Sequence, residues 1–439
     1  TMNMFDLNGH VLQHFQGHSH DIHAACFSKD GNFILTGNGD HTAKLWDILN
    51  YKYHNFVGHK KRVVSVAASP NGQYLLTGSE DNTAKLWDIH GKELQTFNLP
   101  DEVNSVSFSS DGNSILTGCL TGCTKLWDLT GKELQMFKQE EEVSSAVFLP
   151  DGKSIVTASK NGVVKHFDLF GSLIFNFNTK SVINSLSVSF DGKQLFTTNN
   201  NGQINIWDLK TGKKIQTLGK LKNKLLSAAS SKDGNLIASG NQDGGVELNN
   251  LSNKTSIYLE GHTSKVYSLD FSPDSRFLIS ASEDETTKIW NCKTGKEVAS
   301  LISLDETDWV VTTPHGLFDA SEGAMLHMDY EVGLEDIALE QLKERYYEPG
   351  LLEETFGLIE TEYHDVPALK NIALYPELEG RIEGDLLRVK FLARSGGIGK
   401  LSFFINHKEV IEDANPSRKT EIQIDLRTYL EFYEEDTNV

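Results

Sequence analysis

The chain has 439 residues, of which 38% are hydrophobic, 36 are glycine and 9 are proline. This composition is that of an ordered globular protein with room for two or three domains, and it excludes a disordered chain. The net charge of −20 argues against nucleic acid or an anionic membrane as the main partner, and no apolar run reaches the roughly 18 residues of a membrane span.

The negative charge is concentrated late in the chain. Residues 301–360 hold 15 acidic and 2 basic side chains, whereas the first 300 residues are nearly neutral. We therefore expect a domain boundary close to residue 303.

Four cysteines do not make a disulfide framework in a chain of this length. Cys119 and Cys123 can face each other across a short turn, but the preferred interpretation is that they are unpaired strand residues. That interpretation fits a reducing compartment, and we expect a cytoplasmic protein.

The first 15 residues look like half of a unit that recurs later. "TMNMFDLNGH" aligns with the part of "DNTAKLWDIHGKELQTF" (Asp81–Phe97) that begins at Thr83. Phe5 then falls on Trp87. These residues predict a third and a fourth strand without a first and a second, so we expect the chain to be an internal part of a longer protein.

Seven complete units follow between residues 17 and 302. Each contains four short runs of β-forming residues separated by turns, such as "VVSVAAS", "YLLTGS", "TAKLWD" and "GKELQTF". Units of 40–42 residues bury both faces when they stack around an axis, so the spacing predicts an all-β propeller. The position that marks the period holds Trp46, Trp87, Trp127, Phe167, Trp207, Asn249 and Trp290.

The segment Gly58–Asp88, "GHKKRVVSVAASPNGQYLLTGSEDNTAKLWD", resembles a WD repeat. The resemblance covers about residues 1–321 and implies a hydrogen-bonded tetrad of His, Ser or Thr, Asp and Trp in each well-formed blade. A buried histidine held by a carboxylate and a hydroxyl ties the turns together. The implied tetrads are His18, Thr36, Asp40 and Trp46; His59, Thr77, Asp81 and Trp87; and His262, Ser280, Asp284 and Trp290.

The third to sixth units depart from this pattern. The third, fourth and fifth lack the Gly-His pair and carry Thr121, Asn161 and Asn201 in place of the Asp. The sixth keeps Asp243 but has Asn249 in place of the Trp. We expect these blades to rely on packing alone and to form the softer side of the ring.

After the seventh unit, "DWVVTTPHGLFDASEG" (Asp308–Gly323) predicts a first and a second strand without a third and a fourth. These are the strands that residues 1–15 lack. We therefore expect the two ends to combine into one composite blade, closing an eight-bladed ring over residues 1–323. The alternative is a seven-bladed ring, with residues 1–15 belonging to another propeller.

Residues 324–368 are predicted to be an acidic helical connector. Leu339, Leu342 and Tyr346 share one helical face. Pro349-Gly350 then breaks the pattern, and a second short helix follows.

Residues 369–439 are predicted to be a partial β-sandwich of immunoglobulin-like style. The runs "KNIALYP", "DLLRVKFLARS", "KLSFFINHKEV" and "TEIQIDL" alternate as strands do. Such a sandwich needs about seven strands, so this module is predicted to be incomplete. "SGGIG" (Ser395–Gly399) lies between two strands and is predicted to be a hairpin turn, not a phosphate-binding loop.

The stretch from "DWVVTTPHGLFDAS" to "GGIGKLSFFINHKEV" is similar to bacterial multidomain proteins in which WD repeats lead to a caspase-like peptidase domain. The resemblance implies a catalytic domain beyond Val439. No Cys/His dyad is predicted within the chain, because His315 fits a repeat turn and the cysteines fit strand positions.

The N-terminal region is rich in histidine, but no Cys or carboxylate pattern accompanies it. A metal site needs three or four converging ligands, so we predict no metal and no cofactor. The histidines in question are His10, His14, His18, His20 and His23.

What remains is a binding surface on the loops, where function usually lies. WD-repeat geometry implies that the residues before each first strand and before each turn Asp share the narrow face of the ring. A basic and an acidic part suit one asymmetric protein or peptide partner. The predicted partner-binding residues are Asp21, Arg62, Glu80, Glu102, Glu142, Lys160, Lys224, Lys265 and Glu283.

The sequence thus predicts a non-catalytic interaction scaffold that binds a protein, a peptide or another domain of its parent protein, and neither nucleic acid nor membrane. The alternative is the autoinhibitory region of a caspase-like protease. A propeller enzyme would show turnover by this chain alone, which we do not expect.

Overall fold

A computed structural model describes residues 2–5, 11–15, 20–49, 52–139, 141–219, 221, 223–304, 308–327, 329–332, 335–338, 342, 346–356, 377–392, 401–405, 408–411 and 414–432. The chain divides into two compact units, residues 1–364 and residues 365–439. The first unit holds all seven complete repeats together with residues 324–364 of the predicted connector.

The four strands of each complete repeat pair in order within one antiparallel sheet, which confirms the predicted propeller blades. Blade 1 comprises β3 (Ile22–Phe27), β4 (Phe33–Asn38), β5 (Thr42–Asp47) and β6 (Lys52–Val57), and blade 2 comprises β7 (Val63–Ala68), β8 (Tyr74–Ser79), β9 (Thr83–Asp88) and β10 (Glu93–Asn98). Blade 3 comprises β11 (Val103–Phe108), β12 (Ser114–Cys119), β13 (Cys123–Asp128) and β14 (Glu133–Lys138). Blade 4 comprises β15 (Val143–Phe148), β16 (Ser154–Ser159), β17 (Val163–Asp168) and β18 (Leu173–Asn178).

Blades 5 to 7 follow the same order. Blade 5 comprises β19 (Leu186–Val188), β20 (Gln194–Thr198), β21 (Ile204–Asp208) and β22 (Lys214–Leu218). Blade 6 comprises β23 (Leu225–Ser230), β24 (Leu236–Asn241), β25 (Val246–Asn250) and β26 (Thr255–Leu259). Blade 7 comprises β27 (Val266–Phe271), β28 (Phe277–Ser282), β29 (Thr286–Asn291) and β30 (Glu297–Ser303).

Neighbouring blades approach each other so closely that the second strand of a blade is buried on both faces. In β8, every residue after Tyr74 is buried. A side chain on Gly78 would collide with Val103 and Val106 of blade 3, at 2.9 and 2.8 Å from the added carbon. Glycine is therefore required at this position, because only a residue without a Cβ fits.

Aromatic pairs fill the space between the outer parts of successive blades. At four junctions, a phenylalanine near the end of the outer strand packs on the ring at the Trp position of the following blade. The pairs and their centroid distances are Phe56–Trp87 at 5.8 Å, Phe97–Trp127 at 5.5 Å, Phe137–Phe167 at 5.4 Å and Phe177–Trp207 at 5.2 Å.

The ring closes with seven blades, so the preferred prediction of eight was wrong and the alternative of seven is observed. The inner strands contact one another in order from β3 to β27, and β27 contacts β3. Two hydrogen bonds join blade 7 directly to blade 1. The Ser268 hydroxyl donates to the carbonyl of Ala25 (3.2 Å), and the backbone N–H of Phe27 donates to Asp270 Oδ2 (2.8 Å).

The predicted composite blade does not form. β31 (Trp309–Thr312) and β32 (Phe318–Ala320) extend blade 7 into a six-stranded sheet by pairing with β30. β1 (Met2–Phe5) and β2 (Val11–Phe15) make a sheet of their own. A strand that follows a short connection pairs with the nearest free edge, which the outer strand of blade 7 supplies.

The connector is only partly helical. It contains α1 (Glu322–His327), a hairpin of β33 (Asp329–Val332) and β34 (Glu335–Ala338), and α2 (Leu351–Thr355), the predicted second short helix. The hairpin corrects the prediction of helix in this region. Leu342 and Tyr346 are buried, as their shared face suggested, whereas Leu339 lies outside the described residues.

The residues that flank α2 are tied to β32 and to the blade 7–blade 1 junction. The backbone N–H of Glu348 donates to the carbonyl of Phe318 (2.9 Å), and that of Gly350 donates to Asp319 Oδ2 (2.8 Å). Burial raises the pKa of Asp319 to about 6. The ring of Phe356 contacts Phe277 (4.6 Å) and Phe27 (6.2 Å), so it holds both blades at once.

Shortening Phe356 should weaken this junction. We expect Phe356→Leu to lower the free energy of unfolding by about 1 kcal/mol, because both ring contacts are lost while most of the apolar volume stays. Urea unfolding followed by tryptophan fluorescence measures the change. The matched control is Phe170→Leu, since Phe170 is 88% exposed. Equal midpoints for the two variants would show that the segment does not brace the ring.

The structure corrects the preferred interpretation of two cysteines. Cys119 and Cys123 form a disulfide across the turn between β12 and β13, with their Cα atoms 5.3 Å apart. That separation lies within the range that a disulfide requires. Thr121, between them, stands where other blades use an Asp, so a covalent link holds a turn that lacks its carboxylate. Cys26 and Cys292 are free thiols.

The second unit contains a three-stranded sheet and a hairpin. The sheet consists of β35 (Glu377–Glu383), β36 (Leu386–Leu392) and β39 (Glu421–Asp425). Two short 3₁₀ turns, separated by a kink at Tyr429, follow over Leu426–Phe432. β37 (Phe403–Ile405) and β38 (Lys408–Ile411) form the hairpin, where one strand had been predicted. The run "KNIALYP" and Ser395–Gly399 lie outside the described residues, and the immunoglobulin-like style stays a prediction.

Candidate functional site

Blade 2 contains the complete tetrad that its residues implied. His59 Nδ1 lies 2.9 Å from Asp81 Oδ2, and His59 Nε2 lies 2.7 Å from Thr77 Oγ1. The indole N–H of Trp87 donates to the same hydroxyl (2.9 Å). Burial alone would raise the pKa of Asp81, but the hydrogen bonds from His59 and Thr83 hold that pKa well below its usual range.

Blade 7 repeats the arrangement. His262 bridges Asp284 Oδ2 (2.8 Å) and Ser280 Oγ (2.6 Å), and Trp290 donates to Ser280 (2.7 Å). Burial would raise the pKa of Asp284, but the adjacent His262 and Lys288 and the hydroxyl of Thr286 lower it well below its usual range. Both tetrads have their polar atoms satisfied, which identifies them as structural networks.

In blade 1 the Trp46 indole donates to Thr36 (3.3 Å), and Asp40 accepts from Thr42 (2.7 Å). His18, the predicted fourth member, lies outside the described residues, as does His10.

Packing alone does not hold blades 3 to 5, contrary to the prediction. Blades 3 and 5 keep the Trp-to-Thr hydrogen bond, Trp127 to Thr117 and Trp207 to Thr197, both at 2.9 Å. In blade 4 the amide of Gln139, at the sequence position of the tetrad histidine, donates to Thr157. Gln139 precedes Thr157 by 18 residues, the same spacing that separates His59 from Thr77. This spacing could have identified Gln139 as the residue at the histidine position of blade 4.

The predicted partner-binding residues lie together at one end of the blades. In six blades the backbone N–H of the residue before the tetrad-position Asp, or its substitute, donates to the carbonyl of the residue before the first strand, at 2.8–3.1 Å. The donor and acceptor residues are Gly39 and Asp21, Glu80 and Arg62, Leu120 and Glu102, Lys160 and Glu142, Gln242 and Lys224, and Glu283 and Lys265. Their partner-binding role stays a prediction.

Several of these charges are paired with near neighbours. Lys61 Nζ lies 3.8 Å from Glu102, and Lys265 Nζ lies 2.5 Å from Glu283. Lys160 also pairs with Glu142. The predicted acidic residues Glu102 and Glu142 are therefore each paired with a lysine at the same end of the blades. This end presents ion pairs and not one acidic and one basic region.

A cluster at the blade 7–blade 1 junction was not predicted. The ring of His23 contacts that of Tyr267 (4.8 Å), and the Tyr267 hydroxyl donates to Glu283 (3.1 Å). Burial lowers the pKa of His23, which keeps the imidazole neutral at pH 7. His23 and Tyr267 are each the second residue of an inner strand. This shared position in the repeat could have predicted that the two rings meet.

Among the described residues, no three His, Cys, Asp or Glu side chains converge in a way that could hold a metal ion. The free thiols of Cys26 and Cys292 have their pKa values raised by burial, which disfavours a thiolate nucleophile. Among the described helices, none is long and apolar enough to pass through a membrane.

Comparison with protein families agrees with this geometry. The family described as "IFT122 first beta-propeller" matches residues 1–250, and the family described as "WD domain, G-beta repeat" matches residues 253–291. The two matches together span the seven blades up to β29.

Single relatives match shorter segments. A U3 small nucleolar RNA-associated protein 15 homolog of Xenopus laevis is 31% identical over 97 residues, 22% of this chain and 18% of that protein. The apoptotic protease-activating factor 1 of Danio rerio is 32% identical over 87 residues, 20% of this chain and 7% of that protein. A guanine nucleotide-binding protein subunit beta of Oryza sativa subsp. indica is 41% identical over 54 residues, 12% of this chain and 14% of that protein. The matches thus span less than a fifth of each of these relatives.

Proposed function

Because the chain belongs to the IFT122 first beta-propeller family and carries WD repeats, we propose that it is a rigid scaffold whose narrow face binds one protein or peptide partner. WD-repeat propellers generally serve as scaffolds for protein interaction. The narrow face is defined by the nine predicted partner-binding residues. The identity of the partner belongs to the proposal, and the cytoplasmic location stays a prediction that the Cys119–Cys123 disulfide does not favour.

One observation carries this proposal. The same backbone hydrogen bond recurs in six blades, so the side chains that follow it are presented at equivalent places around the ring. Those side chains differ in charge and size from blade to blade, whereas the core residues of the blades repeat. A constant frame with variable, partly exposed side chains is the arrangement expected of recognition, since complementary charge selects a partner.

Reversing two charges of the narrow face tests the proposal. We expect Glu102→Lys/Glu142→Lys to weaken partner binding by roughly tenfold and to change its salt dependence, because rim charges act mainly through steering and specificity. A partner captured with the wild-type chain would be purified, and its affinity measured at two salt concentrations.

The matched control reverses two exposed lysines of the same blades at the opposite ends of the strands, Lys132→Glu/Lys153→Glu. The control variant should bind like the wild type. Unchanged affinity in the narrow-face variant would remove this face from the proposal.

A narrower proposal is that this propeller is the recognition or autoinhibitory part of a larger bacterial protein with a caspase-like domain. It is supported by the resemblance of the stretch after blade 7 to such proteins, and one relative is itself named apoptotic protease-activating factor 1. Extending the open reading frame past Val439 tests it. A His-Gly pair and a downstream Cys in an α/β pattern are the expected finding, and their absence would exclude this narrower proposal.

A further inference from the structure

The outer strand of blade 4 is more apolar than its counterparts in blades 2 and 3. Where blade 2 reads "HGKELQTF" and blade 3 reads "TGKELQMF", blade 4 reads "FGSLIFNF" (residues 170–177). Three polar positions have thus become Phe170, Leu173 and Phe175. Phe170 is 88% exposed, Leu173 is 49% exposed and Ile174 is 56% exposed. Large apolar side chains that are grouped at exposed positions are a mark of interaction sites.

These side chains lie on or beside an open sheet edge. β18 pairs with β17 on one side, and no described strand pairs with it on the other. Charged side chains, short strands or a covering segment usually protect such an edge from pairing with another chain. β18 (Leu173–Asn178) has no charged side chain of its own. Its outward backbone groups are therefore suited to receive a further strand.

Blade 7 shows that an outer strand of this propeller accepts a fifth strand. β31 pairs antiparallel with β30, from Ser300 opposite Thr312 to Ser303 opposite Trp309. In that blade the added strand is supplied by the same chain. The same kind of pairing on β18 would need a segment from another molecule, because no described segment of this chain occupies the edge.

A lysine next to β18 lacks the glutamate that pairs with its counterparts. Lys85 Nζ lies 2.7 Å from Glu93 Oε2 in blade 2, and blades 3 and 7 contain the same pair. The equivalent lysine in blade 4 is Lys165, and Leu173 stands at the glutamate position. The Lys165 ammonium donates to the carbonyl of Lys138 (3.3 Å), and among the described residues no carboxylate pairs with it.

A carboxylate on an added strand would be within reach of Lys165. Neighbouring strands lie about 4.8 Å apart, so β17 and a strand beyond β18 would be about 10 Å apart. A lysine and a glutamate side chain that extend toward each other span this distance. An ion pair next to an apolar side chain such as Leu173 is also less screened than one in open water.

We propose that β18 binds an extended segment of a partner protein as a fifth strand of blade 4. The segment carries a carboxylate that pairs with Lys165, and apolar side chains that cover Leu173 and Ile174. Backbone hydrogen bonds of the added strand supply affinity, and its side chains supply specificity. The edge contains none of the nine residues of the narrow face, so the two proposals can fail independently.

Peptide display on the full chain tests this edge. Random peptides of about ten residues, long enough for one strand, are selected on the wild type and depleted on Ile174→Lys. We expect the enriched peptides to contain an Asp or Glu flanked by β-branched or aromatic residues. No peptide that distinguishes the two proteins, or enriched peptides without an acidic residue, would overturn the proposal.

The affinity of an enriched peptide, measured by fluorescence anisotropy, assigns the contacts. We expect Ile174→Lys to weaken binding by about tenfold or more, since a charge protects a sheet edge. Leu173→Glu supplies the carboxylate of blade 2 within the chain and should weaken binding by about tenfold, because Lys165 is then already paired. The matched control is Leu134→Lys, the same change at the equivalent position of blade 3, and it should bind normally.

Replacing the peptide's acidic residue by its amide isolates the ion pair. This change should weaken binding to the wild type by about tenfold and leave binding to Lys165→Met unchanged, because the variant has already lost the pair. Equal losses for both proteins would remove Lys165 from the site. Sedimentation of the wild type tests the other occupant. Self-association that Ile174→Lys abolishes would make a second copy of this chain the occupant and overturn the proposal.

Discussion

Replacing His262 by alanine is expected to lower the free energy of unfolding of the propeller by about 3 kcal/mol, because a buried, fully bonded network loses its central member. His262 joins Asp284 to Ser280, and the Asp284 side chain is only 6% exposed. Without the imidazole, this carboxylate loses a donor that water cannot easily replace. Urea unfolding followed by fluorescence gives the free energy.

A double-mutant cycle makes the test specific. His262→Ala/Asp284→Ala should cost less than the sum of the two single variants, because residues of one hydrogen-bond network couple. His315→Ala is the control, since His315 lies exposed in a turn, and it should change stability by less than about 0.5 kcal/mol. Additive single effects would mean that the tetrad is not one cooperative unit.

The titration of Asp270 is expected to make the propeller less stable as the pH rises from about 5 to about 7, whereas the lowered pKa of His23 acts in the opposite direction. Burial at the blade 7–blade 1 junction raises the pKa of Asp270 to about 7. An unfolded aspartate titrates near pH 4. Between these values the folded chain holds a proton that the unfolded chain has released, so the free energy of unfolding decreases with pH until about pH 7.

The variant Asp270→Asn should remove about 2 kcal/mol of this pH dependence, because its amide stays neutral at every pH. Its oxygen can still accept from the backbone N–H of Phe27. Asp319, whose pKa is raised to about 6, contributes with the same sign and leaves a residual slope. Unfolding free energies of wild type and variant, measured from pH 5 to 8, give the difference.

The control for this experiment is Asp128→Asn. The hydrogen bond from the Thr130 hydroxyl and the backbone N–H of Lys132 lower the pKa of Asp128, so it stays ionised throughout the window. The free energy of unfolding of this variant should change with pH as that of the wild type does. A parallel course for Asp270→Asn as well would contradict the assignment of the slope to the ring junction.

Much of the candidate site followed from the WD-repeat resemblance, applied at the repeat spacing of this sequence. The tetrads of blades 2 and 7 lie where the repeat placed them, because their four members are close in sequence and the strand–turn–strand path between them is the same in each unit. The grouping of the predicted partner-binding residues at one end of the blades followed from the same resemblance, and their role stays a prediction. Their mutual pairing did not, since Lys61 and Glu102 belong to different repeats.

The sequence by itself determined the blades of this protein: the period, the four strands of each unit, the turns and the tetrads are all local patterns of apolar, turn-forming and polar residues. Only the tertiary structure decided which edge β31 joins, how many blades close the ring, and that Cys119 bonds Cys123. The physical reason is that edge pairing and packing volume depend on which segments meet in space. Two free edges can look alike in sequence, and the nearer one forms the hydrogen bonds.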